Sequence, residues 1–412
     1  MGALPCPPDA PDCASRREAF VLSLGAALHA AGIPAHRLEA ALTNVSRHLG
    51  LQGQFFSTPT SLIGAFGALG QQHTAFVRIE PGDIHLARMV ALDDIGDRVI
   101  AGELDVEAAR AEVERVAQAT EHFGPVATTA AAALVSASAV TFFGGTWAEV
   151  GLAGGVGLCV GLLTLLAARV PAVARLYLPL TSAAAAALAA AAAWAVPGAN
   201  PHILSLSGLI ILVPGLTLTV AANELASGHL VSGTARLSSA GATLLLMGLG
   251  VVLGSQLAVL LPPPGPALAL LPLPAGAVWP GALTAAACLL VLFQARPKDL
   301  WVVLGAAVVA MGAARLAALG LPAPAPAFLG ALAVGLFANG YARLTNHPSL
   351  VASVPGILLL VPGSVGFNAL SAMLEREVIA GVETAFSAAL AAVALAAGLL
   401  VANAALPAHR NL

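Results

Sequence analysis

GLIILVPGLTLTVAANEL (residues 208–225) returns 148 residues later in the chain as GILLLVPGSVGFNALSAML (residues 356–374). At that one offset Ser205, Gly208, Leu212, Val213, Pro214, Gly215, Ala221 and Gly233 meet Ser353, Gly356, Leu360, Val361, Pro362, Gly363, Ala369 and Gly381. Neighbouring positions exchange Leu, Ile and Val. Each copy is an apolar run with a Pro-Gly pair near its middle. Proline has no backbone N–H to give, and glycine leaves room around the groups this frees. Both runs are therefore expected to be membrane helices broken halfway.

The rest of the chain fits that reading. Hydrophobic residues make up 58% and charged residues 9%, against about 25% charged in soluble domains, and the mean hydropathy is +0.88. This is the composition of a polytopic membrane protein. The charge is concentrated: residues 1–125 hold 9 Arg and 15 Asp or Glu, and the remainder holds 9 Lys or Arg and 6 acids. A water-exposed N-terminal domain ahead of a membrane domain follows from that split, and neither part has the basic surface of a nucleic-acid binder. Cys159 and Cys288 lie inside apolar runs and read as small core residues, with no ligand-like cysteine spacing anywhere. Cys6 and Cys13 fall in a Pro-rich start that lacks the basic-then-apolar pattern of a secretory leader.

Residues 1–14 read as a disordered tail, and residues 15–124 as a soluble α+β domain. Apolar positions at three-to-four spacing predict helices at 15–31, 34–49, 83–101 and 105–121, the last with Asp105 as N-cap. Between them, QFFS, TSLIGAFGAL and HTAFVRIE are short, rich in Phe, Ile and Val and bounded by turn residues, as strands are. His29, His36, His48, His73, His85 and His122 match no metal-ligand spacing and are expected at the surface.

Beyond residue 124 ten apolar runs have the length of a span, near 127–144, 149–168, 176–196, 202–222, 239–261, 277–295, 300–319, 327–343, 350–371 and 384–405. They divide into two five-helix units, 125–262 and 277–412, joined by a Pro-rich linker at 263–276. Basic residues fall on one side of the resulting topology. Arg169, Arg175, Arg236, Arg296, Lys298, Arg343 and Arg410 share a side with the N-terminal domain, and only Arg315 and Arg376 lie opposite. That side is cytoplasmic by the distribution of Lys and Arg, with both termini inside. Since five is odd, the second unit is inverted relative to the first, which places a binding site near mid-membrane where the units meet.

In that order along the chain, AALHAAGIPAHRLEAAL (26–42), FSTPTSLI (56–63), VIAGELDVEAA (99–109), FFGGTWAE (142–149), LVPGLTL (212–218), SGTARL (232–237), FLGALAVGLFANGYARL (328–344) and VPGILLLVPGS (354–364) resemble the threonine/serine exporter family of bacterial amino-acid carriers. The resemblance implies an all-α membrane domain of ten helices after a cytoplasmic domain, in a bacterial inner membrane. It also implies export of threonine or serine in exchange for protons. Related proteins with split modules are linked to dicarboxylate export, so a small dicarboxylate is an alternative substrate. A membrane-bound hydrolase using the N-terminal domain is another reading, although no nucleophile–base set is recognisable, and GxxxxGK[ST] is absent. No cofactor is called for. Self-association is left open.

Pro214, Gly215, Pro362 and Gly363 are the first candidates for the site, as hinges that free backbone groups and present helix N-termini to a carboxylate. Thr217, Thr219, Ser364 and Asn368 lie within two turns of them and either hold an ammonium or hydroxyl group or re-satisfy backbone groups. Asn339 is a polar residue within an apolar run. Ionisable groups at membrane depth are few. Glu224 with Arg236 is the leading candidate for proton coupling or gating, followed by Glu149 and Glu383 at span ends. Histidine as a side-chain type changes charge near neutral pH, but His202 and His229, lone histidines in loops, read as structural. The N-terminal domain is expected to regulate by docking on the cytoplasmic loops.

Overall fold

The computed structural model describes residues 11–80, 82–360, 363–374 and 377–407. The chain opens with helices α1 (Pro11–Ala30) and α2 (Ala35–His48) and strands β1 (Gly53–Thr58), β2 (Ser61–Phe66) and β3 (His73–Arg78). Helices α3 (Leu86–Ile100) and α4 (Val106–Gln118) follow. The strands form an antiparallel sheet in chain order, with Phe56 opposite Ile63 and Ile63 opposite Phe76. Alternation puts Leu62 and Phe66 on the face covered by α1 and α2, where Phe20, Leu38 and Leu42 are also fully buried. Gly25 permits this close layer, because a Cβ there would lie 2.7 Å from Leu62 and 2.8 Å from Leu42. Asp105 caps α4 by accepting from Glu107 N, as its position predicts. Helix α1 begins at Pro11, ahead of the expected start, and residues 1–10 of the expected tail lie outside the described residues.

His48, His73 and His122 are exposed, as expected, and His36 is partly buried, but two histidines of this domain depart from expectation. His29 is buried and hydrogen-bonds the Thr58 carbonyl, and His85 is buried while its Nδ1 accepts from Arg88 N. His85 sits at the start of α3, where a ring nitrogen can satisfy one of the four unbonded N–H groups of a helix start. No spacing rule marks such a local capping role in advance.

Helices α5 (Pro125–Ala139), α6 (Trp147–Arg169), α7 (Pro171–Arg175), α8 (Tyr177–Ala195), α9 (Pro201–Leu209), α10 (Gly215–Ala226) and α11 (Leu230–Gln256) continue the chain. A second set follows: α12 (Val278–Leu292), α13 (Leu300–Ala318), α14 (Ala325–Thr345), α15 (Leu350–Leu358), α16 (Gly363–Leu374) and α17 (Val378–Ala405). Among the described residues nine helical stretches are long and apolar enough to cross a membrane. The tenth expected run, 202–222, is the pair α9 and α10, each half too short to span alone. Helix α11 starts nine residues earlier than expected, because LVSGTARLS stays helical despite Arg236.

Helix pairing has the same pattern in both sets. Helix α6 packs on α9 as α13 packs on α15, α8 on α9 as α14 on α15, α8 on α11 as α14 on α17, and α10 on α11 as α16 on α17. Small residues set these approaches, as expected where lipid removes the hydrophobic drive for association. Gly250 and Gly254 press α11 onto the backbone of Pro179 and Ala183 in α8, and Gly398 presses α17 onto Phe328 in α14. On α11, Leu245, Leu249 and Leu253 form an exposed stripe on a separate face, suited to lipid. The halves after each break also reach across, α10 to α15 and α17, α16 to α11.

Candidate functional site

The two broken helices meet at Gly215 and Gly363. Helix α9 ends in a tightened turn, with Leu212 N donating to the Leu209 carbonyl at 2.8 Å and Gly215 N to the Val213 carbonyl at 2.8 Å. Pro214 is the N-cap residue of α10, and Gly215 its first residue. Helix α15 ends similarly, with Leu360 N on the Ile357 carbonyl at 2.8 Å. Pro362 lies outside the described residues, and α16 starts at Gly363. A Cβ built on Gly363 would lie 2.7 Å from Val213 Cγ1 and 3.1 Å from Gly215 Cα. The backbones of the two glycines therefore meet with no side chain between them, and the N-termini of α10 and α16 converge on one point.

The two broken helices run in opposite directions. The α9–α10 pair ends at Glu224, whose Oε1 accepts Ala35 N from α2 at 3.0 Å. The α15–α16 pair begins there, at Ser349, whose Oγ accepts Arg37 Nη1 at 2.8 Å. At the other end, His202 at the start of α9 lies 3.0 Å from Asn368 Oδ1 in α16.

Around the breaks, Thr217 and Ser364 are partly buried, and Thr219, fully buried, turns its hydroxyl back to the Gly215 carbonyl at 3.2 Å. The other candidates sit apart from this point. Asn339 Nδ2 donates to Asn403 Oδ1 at 2.8 Å and to the Leu406 carbonyl at 2.9 Å, tying α14 to the end of α17. It lies nine residues from Gly330, which faces Leu360, and so about 13 Å along α14 from the break. Glu149 closes a capping box with Thr146 at the start of α6, and its Oε1 accepts Asn200 N at 2.7 Å, fixing the entry to α9. Glu383 is an exposed residue of α17.

Glu224 has no exposed side-chain surface, and Arg236 Nε donates to both its oxygens at 3.1 and 3.2 Å. A buried carboxylate needs such a partner, because leaving it alone costs several kcal/mol (roughly 3–5). It stands nine residues after Gly215, about 13 Å from the breaks along α10, at the end facing the N-terminal domain. The residues that meet it there were not legible in the sequence. His36 Nε2 lies 3.4 Å from Asn223 Nδ2, its ring centre is 6.0 Å from that of His229, and His229 Nε2 lies 3.3 Å from Glu39 Oε2. Burial, reinforced by the positive charge of Arg37 and by His229 and Arg236, lowers the His36 pKa to about 3. Burial alone lowers Arg37 to about 10, which leaves it charged at neutral pH. The only hint in the sequence was position, since GIPAHRLE opens an amphipathic helix without a side-chain cap of its own.

Comparison with known proteins adds a family and its relatives. A family model described as "Putative threonine/serine exporter" matches residues 19–258, and one described as "Threonine/Serine exporter, ThrE" matches residues 280–405. The pheromone-regulated membrane protein 10 of Kluyveromyces lactis is 28% identical over 247 residues, covering 59% of this chain and 26% of that protein. The protein of the same name from Debaryomyces hansenii is 26% identical over 402 residues, covering 90% of this chain and 37% of that protein. The chain thus spans well under half the length of these curated relatives. No solved structure matches it.

Proposed function

Because the chain belongs to the threonine/serine exporter family, and is a multi-pass membrane protein, we propose that it is a secondary carrier exporting threonine, serine or a similar small polar amino acid in exchange for protons. The single observation that carries the reading is the contact between Gly215 and Gly363 at the breaks of two oppositely directed helices. Two helix N-termini there carry about half a positive charge each, an environment suited to a carboxylate in lipid. In this reading residues 125–262 and 277–412 are inverted units joined by a linker at 263–276. The matching helix pairs and the opposed courses of the broken helices support it.

The substrate carboxylate then lies against Pro214–Gly215 and Pro362–Gly363, and Thr217, Ser364 and Asn368 offer oxygens to its ammonium and hydroxyl groups. Glu224 is the proton acceptor, since neutralising it removes the charge that holds Arg236. The excess of Arg and Lys on the side of the N-terminal domain supports a cytoplasmic position for residues 15–124 and an inner-membrane location. Counterflow in proteoliposomes tests the reading. Preloaded unlabelled threonine should accelerate entry of labelled threonine, Pro214→Ala with Pro362→Ala should abolish it without loss of membrane insertion, and Glu224→Gln should make flux independent of the pH gradient. Flux without trans-stimulation means a channel, and trans-stimulation by succinate but not threonine means a dicarboxylate carrier.

A further inference from the structure

The N-terminal domain is attached unequally to the two sets of membrane helices. Its core is continuous with the second set: one buried cluster runs from Phe20, Leu38 and Leu92 to Ala286 and Leu290 of α12, Val302 of α13 and Val351 and Val354 of α15. The first turn of α3 is completed by the loop after α12, where Leu86 N donates to the Phe293 carbonyl at 2.9 Å and Ala87 N to the Gln294 carbonyl at 3.2 Å. Gln294 accepts Phe123 N and donates to Glu121 in return. Arg37 adds the bond to Ser349 at the start of α15. To the first set, the polar attachments lie on one face of α2: Ala35 N to Glu224, His36 to Asn223, and Glu39 to His229.

The first of these is a shared helix cap. Helix α2 has no side-chain cap and no acid in its first turn, because Pro34 occupies the N-cap position. A carboxylate is among the best partners for the unbonded N–H groups of a helix start, and here it comes from α10. Glu224 thus completes α2 while it pairs with Arg236.

We propose that the N-terminal domain is a clasp, riding on α12–α15 and gripping the α10–α11 hairpin through Glu224, and that the grip opens whenever the breaks become accessible from the domain side. The geometry stands by itself, and its purpose rests on the carrier reading above. If the two sets of helices part on this side, the buried apolar contact with α12–α15 and the bonds to the loop after α12 hold, and the contacts with α10–α11, the polar ones from α2 and the approach of β1 to α11, yield.

Ala35 makes a selective variant available. It is the first residue of α2, the position that tolerates proline best, and Pro34 already has the extended backbone required before a proline. Ala35→Pro therefore removes the N–H given to Glu224 and leaves α2 helical. In the full chain in lipid nanodiscs, with the four cysteines replaced by alanine, spin labels at Ala40→Cys and Leu237→Cys read the distance between α2 and α11. Ala35→Pro should add a longer distance whose ratio to the short one rises at least about tenfold, the scale of one hydrogen bond to a charged group. An unchanged single distance overturns the clasp.

In the same cysteine-free background, a reversible methanethiosulfonate bridge between Glu39→Cys and His229→Cys provides the opposite arm. Closing it should suppress maleimide labelling of Thr217→Cys from the domain side, and reductant should restore it. Labelling that ignores the bridge also overturns the proposal. Counterflow in proteoliposomes of the Glu39→Cys, His229→Cys protein with Thr217 kept native separates the two readings: labelling gated by the bridge with no threonine exchange in the open form keeps the clasp and rejects the amino-acid substrate, whereas exchange indifferent to the bridge keeps the carrier and rejects the clasp.

Discussion

A methyl group on Gly363 would lie 2.7 Å from Val213 Cγ1 and 3.1 Å from Gly215 Cα, nearer than packed carbons approach without strain. Gly151 and Gly155, on α6, have nothing within 4 Å of the same atom. Gly363→Ala should therefore push the breaks apart, costing about 1–3 kcal/mol by overpacking and most of the counterflow rate, while Gly155→Ala is neutral in both. Thermal unfolding in detergent and exchange measured on the two variants check this. His36 supports a prediction about pH. Docked, its pKa is held near 3, whereas free in water it returns to about 6.5. The docked form thus binds fewer protons, so docking is fully stable above pH 6.5 and weakens as pH falls from there toward 3. The groups facing it are Arg37 on its own helix, Asn223 on α10, His229 at the N-cap of α11 and Arg236 on α11. Between pH 6.5 and 5.5 the ratio of undocked to docked protein should rise about fivefold, read as spin-label distance, and His36→Gln should flatten the dependence.

Among the elements, two polar residues picked out of apolar runs turn out to join helices. Asn339 links α14 to α17 through Asn403 and the Leu406 carbonyl. Asn339→Ala should lower stability by about 1–2 kcal/mol and leave exchange per folded molecule intact. A variant of full stability that does not transport would place Asn339 on the path instead. Glu149 holds three donors at once: Thr146 N, Thr146 Oγ1 and Asn200 N. Glu149→Ala should cost about 1–2 kcal/mol, the worth of a helix cap, with the proton dependence of flux retained; its loss would bring Glu149 into coupling. An interrupted polarity pattern shows that a side chain needs a partner. It does not show whether the partner is a neighbouring helix, a solute or a proton.

In the whole molecule, the N-terminal domain and α12–α15 share one buried cluster, so they should unfold together. All four tryptophans lie after residue 125. Their fluorescence and the signal of a spin label at Ala40→Cys on α2 should show coincident transitions in denaturant, and two separated midpoints would show an independently stable domain.

The elements themselves were legible because they follow from local rules: period-2 strands at 53–78, Asp105 as a cap, apolar runs long enough to span, and one Pro-Gly pair in each copy of a repeated stretch. Glycine and proline act through their own backbones, so the breaks at Pro214 and before Gly363 are written at those positions. What the breaks face is not local. The meeting of Gly215 with Gly363, the service of Glu224 as cap to a helix 189 residues earlier in the chain, and the burial of His36 depend on chain segments that only packing brings together. A carboxylate at residue 224 reads the same in the sequence whatever lies around it, and only the tertiary structure brings Arg236 and the start of a distant helix to its two oxygens.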